Sequence, residues 1–168
     1  MTAAPDAFDD LVGRLRDWTA GPERRLVALA GPPGAGKSHV ADRLTAALPG
    51  AAVLQMDGFH LDDALLAERG DLARKGAPRT FDLDGLASIL DRLAADDGRA
   101  VLVPVFDRTF EISRAAAREI AADVRLVLVE GSYLLLDSPG WRDLRSHFAL
   151  SIMLEVPEDV SRARLEAR

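Results

Sequence analysis

The sequence contains no cysteine. That excludes disulfide staples and thiolate metal sites, and it suits a reducing compartment. No apolar run approaches the ~18 residues needed to cross a membrane. The opening MTAAPDAFDD is acidic and has neither a basic nor an apolar stretch, so no secretory leader is read there and a cytoplasmic location is expected. Lysine is scarce: of 21 basic side chains, only Lys37 and Lys75 are lysines. Excess positive charge is lacking too. A formal charge of -6 argues against a nucleic-acid partner, which asks for a basic face. An anionic ligand must therefore be held by a local site and not by the field of the whole molecule.

What is present reads as one α/β domain over residues 1–168, long enough for a sizeable core. Phe8, Leu11, Val12, Leu15 and Trp18 recur at helical spacing, which predicts an amphipathic helix over 6–19 packed on the domain edge. RLVALA (25–30) is a continuous apolar run, as in a strand buried on both faces. A glycine-rich turn and a helix from Lys37 to Leu48 follow, then a strand AAVLQM (51–56). Residues 61–80 read as irregular. Leu83, Leu86, Leu90 and Leu93 mark a helix capped by Asp82 or Asp84. AVLVPVF (100–106) is a strand whose Pro104 indicates an edge or a strand end. RLVLVEG (125–131) and LSIMLEV (150–156) are further strands. PGWRDLRSHF reads as a short helix, and PEDVSRARLEAR as a helix running to the chain end. Strands alternating with helices predict a three-layer α/β sandwich with a mainly parallel sheet. Ligands of such sheets bind at the carboxyl ends of the strands.

GPPGAGKS, Gly31 to Ser38, matches the P-loop pattern G-x-x-x-x-G-K-[ST] between a strand and a helix, so a P-loop NTPase fold is expected. Composition alone would produce such a match roughly once in a thousand chains of this kind. Pro32 and Pro33 have no N–H and only stiffen the turn. The phosphate donors are then the amides of Gly34, Ala35, Gly36, Lys37, Ser38 and His39, at a helix N-terminus. Lys37 is expected to reach the β- and γ-phosphates of ATP, and the Ser38 hydroxyl to join a Mg²⁺ shell. The His39 side chain is expected to pack or to face solvent.

Phosphoryl transfer also needs carboxylates, and two lie at predicted strand ends. Asp57 reads as a general base that also touches Mg²⁺; the other reading is a turn acid, because Asp-Gly is a common turn pair. Glu130 closes four apolar residues like a Walker B acid holding the Mg²⁺ shell; the other reading is again a turn acid. The N-K-x-D of guanine-binding GTPases is absent. Gly131 stands where an AAA motor has its second acid.

In chain order, AGPPGAGKS, MDGFH, RKGAPRTFD, VPVFDR and VEGSYLLL resemble the P-loop kinases related to uridine kinase, bacterial pantothenate kinase and phosphoribulokinase. The nearest resemblance is to a bacterial nucleoside/nucleotide kinase-like subgroup that includes a kinase associated with fructose transport. It covers about residues 25–168. It implies a sheet with the P-loop strand at its centre and transfer of the ATP γ-phosphate to a small-molecule hydroxyl, with Asp57 as base. His60 and Phe59 would line the acceptor pocket, packing being equally open for Phe59. VPVFDR corresponds to the P-x-Y-D segment of uridine kinase, beside the acceptor. Phe106 stands in place of its Tyr, and Glu111 lies near the place of a His that contacts the base, which argues against uridine itself. Arg108, Arg114 and Tyr133 are acceptor-side candidates, with a solvated face as the other reading for the arginines. Lys75 is placed over the acceptor. Relatives continue past RARLEAR into an arginine-bearing lid and a last strand. Arg162, Arg164 and Arg168 are expected to begin that lid, most of which is missing from this chain.

The expected function is an ATP-dependent small-molecule kinase whose acceptor is nucleoside-, sugar- or pantothenate-like. A nucleotide-binding regulatory protein and an NTP hydrolase without acceptor remain the alternatives. The expected partner is a small-molecule acceptor, with no nucleic acid and no membrane, and a homodimer is the expected assembly.

Overall fold

Helix α1 (Ala7–Thr19) precedes β1 (Arg25–Ala30), the P-loop and α2 (Lys37–Ala47). The structure is a computed structural model, and it describes residues 7–166. Strand β2 (Ala51–Gln55) enters a 3-10 turn (Met56–Phe59), then α3 (Asp63–Glu68) and, beyond two more 3-10 turns, α4 (Leu83–Ala95). Strands β3 (Val101–Asp107) and β4 (Ile112–Ile120) form an antiparallel hairpin. Strand β5 (Leu126–Gly131), a 3-10 stretch (Trp141–His147), β6 (Phe148–Met153) and α5 (Glu158–Glu166) complete the chain. No helix among the described residues is long and apolar enough to cross a membrane.

The four-stranded sheet has the order β2-β5-β1-β6 and every neighbouring pair is parallel. Leu26 to Ala30 of β1 and all of β5 are buried, which is why both read as unbroken apolar runs. Successive residues of each strand serve opposite layers. Val27, Leu126 and Leu128 meet Val12 and Leu15 of α1 and Leu44 of α2 on one face. Leu26, Ala28, Val127 and Val129 meet Leu86, Leu90 and Leu93 of α4 on the other, together with Val101, Val103 and Ile120 of the hairpin. Each fully buried leucine contributes about 1.5–3 kcal/mol. The chain is thus a three-layer α/β sandwich of the P-loop NTPase type.

A buried guanidinium ties the layers together at the end opposite the site. Arg24 donates to the carbonyls of Val124 (2.9 Å), Ala121 (3.1 Å), Ala122 (3.1 Å) and Leu93 (3.4 Å). Asp96 accepts from the Arg24 amide at 3.2 Å and pairs with Arg125 at 2.5 Å.

Several expectations change. Residues 61–80 hold a helix, α3, because Asp62 caps it by accepting from the Ala64 amide at 2.9 Å. Asp82 and not Asp84 caps α4, accepting from Gly85 at 2.9 Å. Strand β4 was not expected at all: ISRAAAREI lacks apolar alternation because most of it is exposed in a two-stranded hairpin. Pro104 agrees with its expected edge position, since β3 is an edge of the two-stranded sheet and the register slips between Val103 and Val105, where no ladder donor is required. The short helix expected in PGWRDLRSHF is present, as a 3-10 helix over Trp141–His147. Asp6 and Arg168, expected in the first and last helices, lie outside the described residues.

Candidate active site

Gln55, Glu130 and Leu29 are level in the sheet register, so the chain ends of β1, β2 and β5 open at one edge. A cleft of about 340 Å³ lies there. The P-loop forms one wall, with Gly34 at φ 79° and Gly36 at φ 89°, a backbone that L side chains rarely adopt. The first amides of α2 have no intrahelical acceptor, which makes them donors for an anion. Ala35 departs from the expected set, because its N–H is engaged by the Pro32 carbonyl at 3.1 Å. The Lys37 ammonium donates to the carbonyls of Gly31 (2.9 Å) and Pro32 (3.1 Å) and to Ser132 Oγ (3.1 Å). Helix α5 packs against this loop, with Leu165 lining the cleft: Ser161 Oγ donates to the Pro33 carbonyl at 2.6 Å and Arg164 to the Gly34 carbonyl at 3.2 Å. Arg162 instead pairs within its helix with Glu158 at 2.8 Å.

At the floor, Ser38 Oγ lies 3.0 and 2.9 Å from the two oxygens of the buried Glu130 carboxylate. Gln55 Nε2 donates to the same group at 3.1 Å. Burial raises the Glu130 pKa above its ordinary value, against the hydrogen bonds of Ser38 and Gln55, which lower it. Among the described residues no three His, Cys, Asp or Glu side chains cluster as a metal cage. A hydroxyl beside a carboxylate fits Mg²⁺ nevertheless, since this ion takes few protein oxygens and fills its shell with water and phosphate.

The opposite wall comes from the MDGFH turn and the β3–β4 hairpin. Asp57 lies in the 3-10 turn just past β2, and Arg108 Nη2 donates to its Oδ2 at 3.1 Å. His60 turns its Nδ1 to the Asp57 carbonyl at 2.8 Å. A carbonyl only accepts, so Nδ1 carries a proton in this contact. The ring is wedged between Phe81 and Phe106, with centroids 4.1 and 4.7 Å away. Ser113 Oγ donates to the His60 carbonyl at 2.9 Å, which ties the hairpin to the turn. Gly58 serves this contact: a Cβ there would lie 2.7 Å from the Pro104 carbonyl oxygen. Gly58 lies within the turn that Asp-Gly implied, and it also lets β3 approach closely.

The cleft thus gathers Gly34, Gly36, Lys37, Ser38 and His39 on the phosphate side. Asp57, His60, Arg108 and Tyr133 face them, with Glu130 below. The other expected residues do not line it. The Gly31 carbonyl supports Lys37, and Ala35 closes the turn. Lys75 is paired with Asp63 at 2.5 Å and bonded to the Glu111 carbonyl, with its ammonium 5.5 Å from the Phe106 ring centroid. Phe106 backs His60. Glu111 sits at φ 55° in the hairpin turn, and Arg114 pairs with Asp107 at 3.4 Å. Ser132 and Gln55, by contrast, were not foreseen. Ser132 stands two residues past Glu130 and beside Lys37, and Gln55 is the one polar residue in an apolar strand; both were readable signals.

Comparison with known proteins agrees with this geometry. The model of the phosphoribulokinase / uridine kinase family matches residues 26–166. An uncharacterized protein, YggC of Escherichia coli (strain K12), is 35% identical over 157 residues, 89% of this chain and 64% of the relative. The chain therefore spans a little under two thirds of that protein. A provisionally named uridine kinase of Schizosaccharomyces pombe is 31% identical, over 98% of this chain and 75% of its own length. The crystal structure of a provisionally named fructose transport system kinase from Silicibacter sp. TM1040 superposes with a TM-score of 0.89 at 43% identity, over 98% of this chain and 82% of that one. Fold, phosphate loop and relatives converge, and the chain belongs to the phosphoribulokinase / uridine kinase family of P-loop kinases.

Proposed function

We propose that the chain moves the γ-phosphoryl group of ATP to a hydroxyl of a small metabolite, with Asp57 as the base. The observation that carries this reading is that the phosphate loop and Asp57 line one cleft from opposite sides. The α2 amides and Lys37 bind the phosphates, and Lys37 exchanges its present carbonyl partners for phosphate oxygens. Ser38 and Glu130 would hold Mg²⁺, which when bound neutralises charge on the phosphates. Asp57 takes the acceptor proton as the acceptor oxygen bonds to the γ-phosphorus. The bond from that phosphorus to the β–γ bridging oxygen breaks, and ADP leaves. His60 and Tyr133 shape the acceptor end. Tyr133 is held by its hydroxyl, which donates to the Gly76 carbonyl at 2.8 Å.

The test is ADP release from Mg·ATP across nucleosides, sugars and pantothenate. Release that depends on one acceptor supports the reading. ADP release at the same rate without any acceptor would assign the chain as a hydrolase, and ATP binding without release as a regulatory protein.

A further inference from the structure

We infer that the acceptor is an anionic alcohol, bearing a carboxylate or a phosphate ester, and that Arg108 recognises the anion and uncovers Asp57 in doing so. The inference rests on the kinase reading above and narrows its substrate class.

Two permanent cations line the cleft among the described residues, Lys37 at the phosphate loop and Arg108 on the acceptor side. The other acceptor-side cations are engaged elsewhere, Lys75 by Asp63 and the Glu111 carbonyl, Arg114 by Asp107. Arg108 uses one Nη2 on Asp57, at 3.1 Å, and its remaining N–H groups have no hydrogen-bond partner among the described residues. Its side chain is 64% exposed at the mouth of the cleft. The backbone that delivers it is pinned: Asp107 Oδ1 accepts from the amides of Thr109 (3.0 Å) and Phe110 (3.3 Å), and Ser113 is bonded to the His60 carbonyl. The guanidinium is therefore aimed at the acceptor space by a fixed turn.

With Arg108 on Asp57 Oδ2, the guanidinium competes with the acceptor O–H for that oxygen. An uncharged acceptor offers the guanidinium only neutral oxygens, which make weaker hydrogen bonds than a charged group. A carboxylate or phosphate offers a charged, two-pronged partner that matches the guanidinium fork. Moving Arg108 onto such a group leaves Asp57 open to the hydroxyl of the same molecule. The surrounding charge makes this cation necessary: Asp57, Glu130 and the net charge of -6 all oppose the entry of an anion.

The test uses matched acceptor pairs with the phosphate loop filled by Mg²⁺ and a non-hydrolysable ATP analogue, so that no probe can occupy that loop. Glycerate against glycerol and pantothenate against panthenol test the carboxylate, and ribose 5-phosphate against ribose tests the phosphate ester. In calorimetry, the charged member of at least one pair is expected to bind about 10- to 100-fold tighter, the range for one charge-assisted hydrogen-bond pair. Arg108→Gln should erase that preference and Arg108→Lys should keep part of it. With ATP, Arg108→Gln should raise KM for the charged acceptor. The proposal is overturned if neutral members bind as well, if Arg108→Gln keeps the preference, or if no charged member binds. The kinase reading outlives these failures whenever a neutral alcohol is phosphorylated, and falls only if no acceptor of either kind stimulates ADP release.

Discussion

The Ser38 hydroxyl lies 3.0 and 2.9 Å from the two carboxylate oxygens of Glu130, across 92 residues of sequence. Two oxygen-bearing groups of different character thus meet at the foot of the phosphate loop. Ser38→Ala and Glu130→Gln should each weaken Mg²⁺ dependence of nucleotide binding, raising the Mg²⁺ needed by about 10- to 100-fold. Titrating Mg²⁺ at fixed ATP against a fluorescent nucleotide checks this. An unchanged midpoint in both variants would remove Glu130 from the metal site.

Glu130 also gives the protein without Mg²⁺ and nucleotide a pH signature. Burial raises its folded pKa above the ordinary 4.5. Between those two values the folded state holds a proton that the unfolded state has lost, so stability falls as pH rises through the window. The full penalty persists above the folded value. Glu130→Gln has no such slope, so its Tm advantage over the parent should be absent below about pH 4.5 and grow above it. A Tm difference that does not move with pH would contradict this.

Asp57→Asn should lower acceptor-dependent kcat by about 10²–10⁴-fold, the usual contribution of a proton-accepting side chain. Mg·ATP affinity should stay unchanged, because Asp57 is held by Arg108 and lies outside the phosphate loop. Unaltered turnover would assign the proton to another group.

Lys37→Ala should weaken Mg·ATP binding by removing the ammonium beside the phosphate loop. Calorimetry with ATP reads this directly, and equal affinity would count against the loop as the nucleotide site.

Gly58→Ala puts a methyl 2.7 Å from the Pro104 carbonyl oxygen and 2.9 Å from its carbon. Backbone must shift to admit it, at about 1–3 kcal/mol by denaturant unfolding. The hairpin that carries Arg108 moves with it, so the anion preference should weaken together with stability. Arg24→Ala, at the far end of the sheet, should cost about 3–5 kcal/mol, as for a broken buried charge network. It should leave the anion preference intact, which separates a stability effect from a site effect.

Much of the site was legible because it is local. The phosphate cradle is eight consecutive residues, and its glycines, lysine and serine are dictated by a backbone curled about an anion. Asp57 and Glu130 could be singled out because an acid after an apolar run has no packing reason to be there. Lys75, Phe106, Glu111 and Arg114 were named with the right segments, yet they support the wall of the cleft. Which face of a hairpin meets solvent depends on what packs behind it, and that is not written in the hairpin.

Composition and local pattern alone therefore determined the alternating α/β order, the buried strands β1 and β5, the phosphate loop and the two acids. These follow from hydrophobic period and backbone conformation, which act over a few residues. Only the tertiary structure decided the rest. It paired Ser38 with Glu130, set Arg108 on Asp57 across 51 residues, laid α5 against the phosphate loop and made Gly58 a place of close approach. Each of these is a contact between segments that sheet order β2-β5-β1-β6 and the docking of the hairpin bring together, and distance in sequence carries no record of them.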